Sequence, residues 1–446
     1  MEPSLADTIT QPIFSTQSAT KKSEKQGETN KEMSLSTFYP EGTEYFYSFP
    51  SGEDSNFFNS ALPCTEELVA SRCFACAGKH VKVISFASTM NATVLDLRQK
   101  LGLPNISTEN ILVLPPEIST DIQGQDRNCL VKEALRKMTS PAKFVMAQPY
   151  LDSALFDSYQ LPPNLVVWLN DKRNIPMYVP LAYVPTRITS FKNGAAFRSE
   201  TLPVPIPCVV KVSSSSAGDG VIVCRNAADL ENAKQQFRNI KGPIFIEQYI
   251  EVRRNFCVQF GIPSDKNSPI EIIGCSEQLT TSTGEFLGGV VHPHALDPDV
   301  DAISEILLRE ILPKIRSLGW YGVGGLDALL GQDGHFYIID ANFRMTATMV
   351  YLFHVQSGLI TPPFVTFTGE FHGTLQDFER VILPIAKSSS TNRCMHIVSL
   401  SLNGDIFRFN AAMFLDNDES IGKRAADLLS MGIKSRVLTK FSSNKL

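Results

Sequence analysis

Asp327, Asp340, Asn342 and Arg344 stand in one short stretch, Gly-Gly-Leu-Asp-Ala-Leu-Leu-Gly-Gln-Asp-Gly-His-Phe-Tyr-Ile-Ile-Asp-Ala-Asn-Phe-Arg, which begins at Gly324. Two carboxylates and an amide are hard oxygen donors. Such groups suit Mg²⁺ (or Mn²⁺), a metal commonly shared between one or two carboxylates and substrate phosphates. Arg344 is a fixed cation shaped for phosphate oxygens. The same residues also fit an exposed hairpin with a polar outer face, a common feature of antiparallel sheets.

For these groups to act together, an element must bring them to one side. Two apolar runs, Leu326–Leu330 and Phe336–Ile339, flank Gly331-Gln332-Asp333-Gly334, a turn signal. With Leu330 paired to His335, Asp327 lies opposite Ile338 and Asp340 is its diagonal neighbour. Period-two alternation then puts Asp327, Asp340 and Asn342 on one face, with Arg344 continuing the row. A slip of one residue would destroy the arrangement. Carboxylates buried side by side need cations to balance them.

Lys211, earlier in the chain, is placed to meet a phosphate. Pro207-Cys-Val-Val-Lys211-Val reads as a strand, followed by Ser213-Ser-Ser-Ser-Ala-Gly-Asp-Gly220 and a second strand at Val221–Cys224. Backbone N–H groups and hydroxyls of such a loop can wrap a polyphosphate, with Lys211 at its base. A flexible linker is the competing reading. The GxxxxGK[ST] order is absent, so this is not a P-loop. Asn170-Asp171-Lys172 follows Leu165–Trp168, itself read as a strand. Asn226–Phe237 reads as a helix capped by Asn226. Pro243–Ile250, Phe256–Ile262 and Ile270–Cys275 read as strands, and Asp301–Leu318 as a helix that Pro313 kinks or divides. His292-Pro-His294 lacks a third metal ligand at clear spacing.

At 446 residues the chain is long enough for two to four domains. Its formal charge of −5 gives no reason to expect nucleic acid or an anionic membrane as partner. Nine cysteines, an odd number in a long chain, indicate a reducing compartment, the cytoplasm, rather than a disulfide framework. Cys73-Phe-Ala-Cys76 is a single CxxC without a second pair and reads as ordinary thiols before zinc. No secretory signal and no apolar run of bilayer length is visible.

Residues 1–40 are rich in Ser, Thr, Lys, Glu and Gln and read as a disordered tail. Residues 41–162 read as a small α/β domain with a partly parallel sheet: strands at Val81–Phe86, Ile111–Leu114 and Phe144–Ala147, helices at Thr93–Leu101, stopped by Gly102, and Leu130–Met138. The loop after the first strand lacks a glycine fingerprint, so it is no dinucleotide turn. In residues 359–446, Arg380–Lys387, Met395–Leu402 and Ile406–Phe409 read as strands, with a turn at Asn403-Gly404, and Ala425–Leu429 as a helix. Arg393 and His396 are read as a solvated face, with a substrate carboxylate as the alternative.

The order strand-Lys211, Ser/Gly loop, helix, Phe245-Ile-Glu247-Gln248-Tyr249-Ile250, antiparallel strands and acidic hairpin resembles the ATP-grasp superfamily, over roughly Pro163 to Val355. The resemblance implies an ATP-grasp domain at 163–358, of two α+β subdomains that clasp ATP, after a Rossmann-like domain. It implies ATP contacts at Lys172, Lys211, Ser214, Ser215, Ser216, Gly218, Gly220, Glu247, Gln248, Tyr249, Ile250 and Asn255. Asp327, Asp340 and Asn342 would hold the metal, and Arg344 with Lys211 would act on the phosphates. Gln278 and His292 would line the acid site. The serine-rich loop, Asp for the commoner Glu, and Phe343 where proline is frequent depart from the pattern.

A phosphoryl transfer needs positioning and charge neutralisation rather than a protein nucleophile. The implied activity is ATP-dependent joining of a small carboxylic acid, such as an amino acid or peptide, to an amine through an acylphosphate. A synapsin-like nucleotide-binding regulator and a phosphotransferase on the same fold are the alternatives.

Overall fold

The structure, a computed structural model, describes residues 33–41, 45–48, 65–104, 111–114, 125–137, 143–146, 149–201, 203–215, 220–281, 284, 286–293, 297–387, 393–415 and 421–443. Three sheets carry them. The first is parallel, order β3-β2-β1-β4, built from β1 (Tyr45–Ser48), β2 (Val81–Ser85), β3 (Ile111–Val113) and β4 (Lys143–Met146). Helices α1 (Thr65–Arg72), α2 (Ala92–Leu101) and α3 (Gln125–Lys137) accompany it. Helix α2 starts where the Asn91 side chain accepts from the Val94 N–H and stops at Gly102, whose φ of 73° only glycine adopts readily.

The second sheet, antiparallel with order β5-β8-β6-β7, joins β5 (Arg187–Phe191), β6 (Cys208–Val212), β7 (Val221–Cys224) and β8 (Ile244–Gln248). Before and around it lie α4 (Pro163–Asn170), α5 (Ile175–Tyr178), α6 (Gly194–Arg198) and α7 (Ala227–Gln236). Leu165–Trp168, expected as a strand, lies within helix α4. Pro163 presets the first turn, and burial of Pro163, Val166 and Leu169 follows a helical spacing that a four-residue apolar window does not reveal.

The third sheet has nine strands, β9 (Val252–Ile262) to β17 (Ile433–Lys434). Its path is β13-β12-β9-β10-β11-β14-β16-β15, with β17 on β14. The intervening strands are β10 (Glu271–Thr280), β11 (Phe286–Val291), β12 (Gly322–Gly331), β13 (Phe336–Asn342), β14 (Phe364–His372), β15 (Met395–Asn403) and β16 (Ile406–Phe414). Helices α8 (Pro298–Ile306) and α9 (Leu312–Ser317) are joined by a π-helical turn at Leu307–Ile311, just before Pro313, where the missing N–H loosens the ladder. They bury Ile303, Leu307, Ile311 and Ile315 against Phe256, Val258, Leu326 and Ala328 of the sheet. The remaining helices are α10 (Met349–Gln356), α11 (Leu375–Val381), α12 (Leu383–Ala386), α13 (Ile421–Ser430) and α14 (Arg436–Ser443). Arg380–Lys387, expected as a strand, is helical. Thr374 and Asp377 form a capping box ahead of it, and Pro384 starts its second piece.

The tail expected over residues 1–40 does not extend to residue 40. Residues 1–32 lie outside the described residues, but Leu35 and Phe38 are fully buried. The Phe38 ring fills the space a Cβ on Gly261 would occupy, at 2.0 Å. A slot left by a sheet glycine is invisible in a polar window of sequence. Arg393 and His396 also depart from a solvated face. His354 Nε2 donates to the Ala75 carbonyl at 2.9 Å, its Nδ1 meets His396 Nε2 at 2.8 Å, and Arg393 donates to His396 Nδ1. Burial lowers the pKa of both imidazoles, so the row is built from neutral rings.

Candidate active site at the acidic hairpin

Asp327 and Asp340 face each other directly. Gly331 N–H bonds the His335 carbonyl at 2.9 Å, and Leu330 pairs with Phe336 rather than with His335. The turn is therefore Gln332-Asp333-Gly334, with Gly334 at φ 80°, one residue shorter than the expected loop. Ala328 then pairs with Ile338, a bulge passes over Ile339, and Asp327 meets Asp340 while Gly325 meets Asn342. The shorter turn and the bulge together place Asp340 directly across from Asp327 rather than on the diagonal.

The bulge has a second consequence. The carbonyl of Ile339 accepts from Lys211 Nζ at 3.1 Å. Lys211 also pairs with Glu247 at 2.8 Å, and both side chains are buried. Lys172 Nζ reaches Asp340 at 2.7 Å and the Ser215 carbonyl at 2.9 Å. The backbone of Lys172 is bonded to Ser213 at 2.9 Å. Both lysines and the start of the Ser/Gly loop thus converge on the acidic hairpin. A polar bridge of this kind across two sheets fixes their approach more sharply than apolar contact does.

Several neighbours reach these groups from other elements. Gln278 Nε2 donates to Asp327 Oδ1 at 2.8 Å, and Asn342 Nδ2 lies 3.3 Å from Asp327 Oδ2. Cys257 pairs across β9 with Asp327. Asn170 Oδ1 accepts from the Phe343 N–H at 3.1 Å and faces Arg344 Nη1 at 3.5 Å, which ties Arg344 to the end of α4. Arg187 packs over the Phe245 ring at 4.3 Å and lies 3.5 Å from Glu247. Phe343, on the other side of the strand, packs against Trp320 at 5.0 Å and Tyr178 at 5.8 Å, an aromatic role that proline would not fill. Of these neighbours, Cys257 and Arg187 are not marked by any motif in the sequence.

Electrostatics follow from this packing. Burial, and then the Asp340 carboxylate opposite, push Asp327 up to about 7. A divalent cation would relieve both causes, and the donor set of Asp327, Asp340 and Asn342 fits one. Among the described residues no group of three or more His, Cys, Asp or Glu gathers as a metal cluster. Orphaned polar atoms fit a polar ligand here. Ser215 Oγ, Asn255 Oδ1 and Arg187 Nε are buried without a partner.

Ser214 and Ser215 are half-buried, and Gly220 closes the loop at φ 76°; Ser216 and Gly218 lie outside the described residues. Glu247 is engaged by Lys211 and Arg187, Gln248 is exposed, Tyr249 half-buried and Ile250 buried. His292 is parted from Gln278. It bonds Glu277 at 3.0 Å, and Glu277 points to the opposite face of β10, where Arg254 ties it to Asp297 and Asp299 at the start of α8. Cys73 and Cys76 are buried free thiols, Cys73 pushed up to about 12 by burial, which suits packing rather than metal ligation. No helix among the described residues is long and apolar enough to cross a membrane.

A family described as L-aspartate–L-methionine ligase, ATP grasp, matches residues 188–342. A D-alanine–D-alanine ligase of Anaeromyxobacter sp. is 29% identical over 156 residues, 33% of this chain and 47% of the relative. The 2-oxoglutarate carboxylase small subunit of Hydrogenobacter thermophilus is 23% identical over 145 residues, 31% of this chain and 30% of the relative. The chain thus matches less than half the length of these curated relatives. N5-carboxyaminoimidazole ribonucleotide synthetase in its ADP complex superposes with a TM-score of 0.53 at 10% identity, over 87% of this chain and 96% of that one. That last likeness is one of fold.

Proposed function

We propose that this chain, which belongs to the ATP-grasp superfamily, is an ATP-dependent carboxylate–amine ligase. The observation that carries the reading is the directly opposed Asp327 and Asp340, with buried Lys172 on Asp340 and buried Lys211 on the Ile339 carbonyl of the same hairpin. The names of the matched family and of the D-alanine–D-alanine ligase favour amino acids as acid and amine.

Joining a carboxylate to an amine is uphill in water. ATP makes it feasible if a carboxylate oxygen attacks the γ-phosphorus, the bond to the bridging oxygen breaks and ADP leaves. The amine then attacks the acyl carbon, the carbon–oxygen bond to phosphate breaks, and the amine gives up a proton. The protein's part is alignment and charge balance. Asp327, Asp340 and Asn342 would hold Mg²⁺ (or Mn²⁺), which when bound neutralises phosphate charge. Lys172, Lys211 and Arg344 offset the rest, with Asn170 orienting Arg344. The Ser213–Gly220 segment shields the acylphosphate from water. Phe343 and Trp320 stiffen the strand behind these groups.

The test is a screen of amino acids and other carboxylates, singly and in pairs with amines, for ADP release. A ligase releases ADP only when acid and amine are both present. Phosphorylated product without an amine would indicate a phosphotransferase, and ATP binding with no ADP in any pair would indicate a regulator; either result overturns the proposal.

A further inference from the structure

Cys208 and Cys224 are directly paired across β6 and β7, and both are fully buried free thiols. Directly opposed residues of an antiparallel pair have Cα atoms about 4.5–5.5 Å apart, within the range a disulfide spans. The Cys224 thiol donates only weakly, to the Ile222 carbonyl at 3.9 Å. The pair sits at a rim. Residues 205–207 just before Cys208 are exposed, as are 225–228 just after Cys224. Strand β7 is the outer strand of its sheet, with only β6 beside it. Small openings of this end therefore expose the sulfurs without disturbing the rest of the core.

The hairpin these cysteines join at one end carries the nucleotide-facing groups at the other. Lys211 pairs with Val221, and Val212 bonds Gly220 at 2.8 Å, where the Ser213–Gly220 segment begins and ends. We propose that Cys208 and Cys224 form a reversible disulfide, made by exchange with a low-molecular-weight disulfide of the glutathione class, which locks the β6–β7 hairpin and changes its hold on ATP. The disulfide stands apart from the ligase reading; only its effect on ATP rests on that reading.

The exchange balances without a further reagent. Cys208, next to the exposed residues 205–207, is the attacking sulfur once it loses its proton, which the released small thiol takes up. The Cys208 thiolate attacks the small disulfide, forming a mixed disulfide and releasing one small thiol. Cys224 then loses its proton, attacks the Cys208 sulfur and releases the second. The protein loses two hydrogens and the oxidant becomes two thiols.

The experiment incubates the full chain, in a Cys129→Ser background that removes the one exposed thiol among the described residues, with oxidised glutathione. Peptides are then mapped without reduction. A peptide linking Cys208 to Cys224, lighter by two hydrogens, reversed by dithiothreitol and absent in Cys208→Ser, is the expected result. Mixed disulfides alone, or no linked peptide, would overturn the disulfide. Calorimetry of ATP on the oxidised and reduced forms then tests its effect. A several-fold change in Kd that Cys208→Ser abolishes supports it, and an unchanged Kd in fully oxidised protein overturns the proposed control. Absence of ATP binding in the reduced form as well would count against the ATP site itself, so the two failures are distinguishable.

Discussion

Asp340 is bonded to Lys172 and faces Asp327, so in the proposed ligase it would serve both as a charge partner and as a metal donor. Asp340→Asn keeps the side chain's size and loses the charge. ADP release in the presence of an active acid–amine pair should fall by about 100-fold or more, the scale seen when one transition-state charge contact is lost. Circular dichroism should show an intact fold. Turnover within a few-fold of the parent would refute the assignment.

Asp327 makes a pH prediction at the same scale. Its pKa is raised to about 7 in the folded chain, by burial first and then by Asp340. Between its unfolded value and about 7, the folded state holds a proton that the unfolded state has lost. Without metal, this group therefore makes the protein less stable as pH rises through that window. Mg²⁺ must displace the proton, so the rise in Tm on adding Mg²⁺ should grow from pH 5.5 to pH 8, with a midpoint near 7. Asp327→Asn should flatten the trend. A Mg²⁺ effect of constant size across this range would show that Asp327 is not a ligand.

At the scale of elements, the bulge at Ile339 and the end of β6 are mutually dependent. Lys211 reads the bulged carbonyl and also neutralises buried Glu247. Lys211→Met therefore removes the cation proposed for phosphate and leaves Glu247 with Arg187 alone. Two effects should separate. Tm should fall in Lys211→Met and recover when Glu247→Gln is added, because the buried charge is then gone. ATP affinity, by calorimetry, should weaken at least about tenfold in both, roughly 1.4 kcal/mol. Recovery of ATP binding in the double variant would mean that Lys211 acts only through Glu247.

For the whole molecule, the boundary of the N-terminal segment is measurable. Deleting residues 1–32 should leave Tm nearly unchanged, given their polar composition. Extending the deletion through Tyr39 removes Leu35 and Phe38, both fully buried. Each contributes about 1.5–3 kcal/mol of burial, so Tm should drop by roughly 5 °C or more. Equal melting of the two truncations would show that the Phe38–Gly261 contact is dispensable.

Much of this protein was legible locally. Asn226 caps its helix, Gly102 ends another, and the turns at Gly334 and Gly404 lie where the sequence indicates. These features depend on a few neighbouring residues, so sequence alone determines them. The order of Lys211, Glu247, Asp327, Asp340 and Asn342 was equally visible, because chemistry demands those residue types. Register was not, since one residue of turn length and one bulge at Ile339 decide which side chains meet. Nor were the partners Cys257 and Arg187, which arrive from distant elements, nor the bonds of Gln278 to Asp327 and of the Phe343 N–H to Asn170. Sequence determined which groups are available. The tertiary structure decided which share a low-dielectric space, and so which charges oppose, pair or await a ligand, because Coulomb energies depend on distance and burial rather than on chain order.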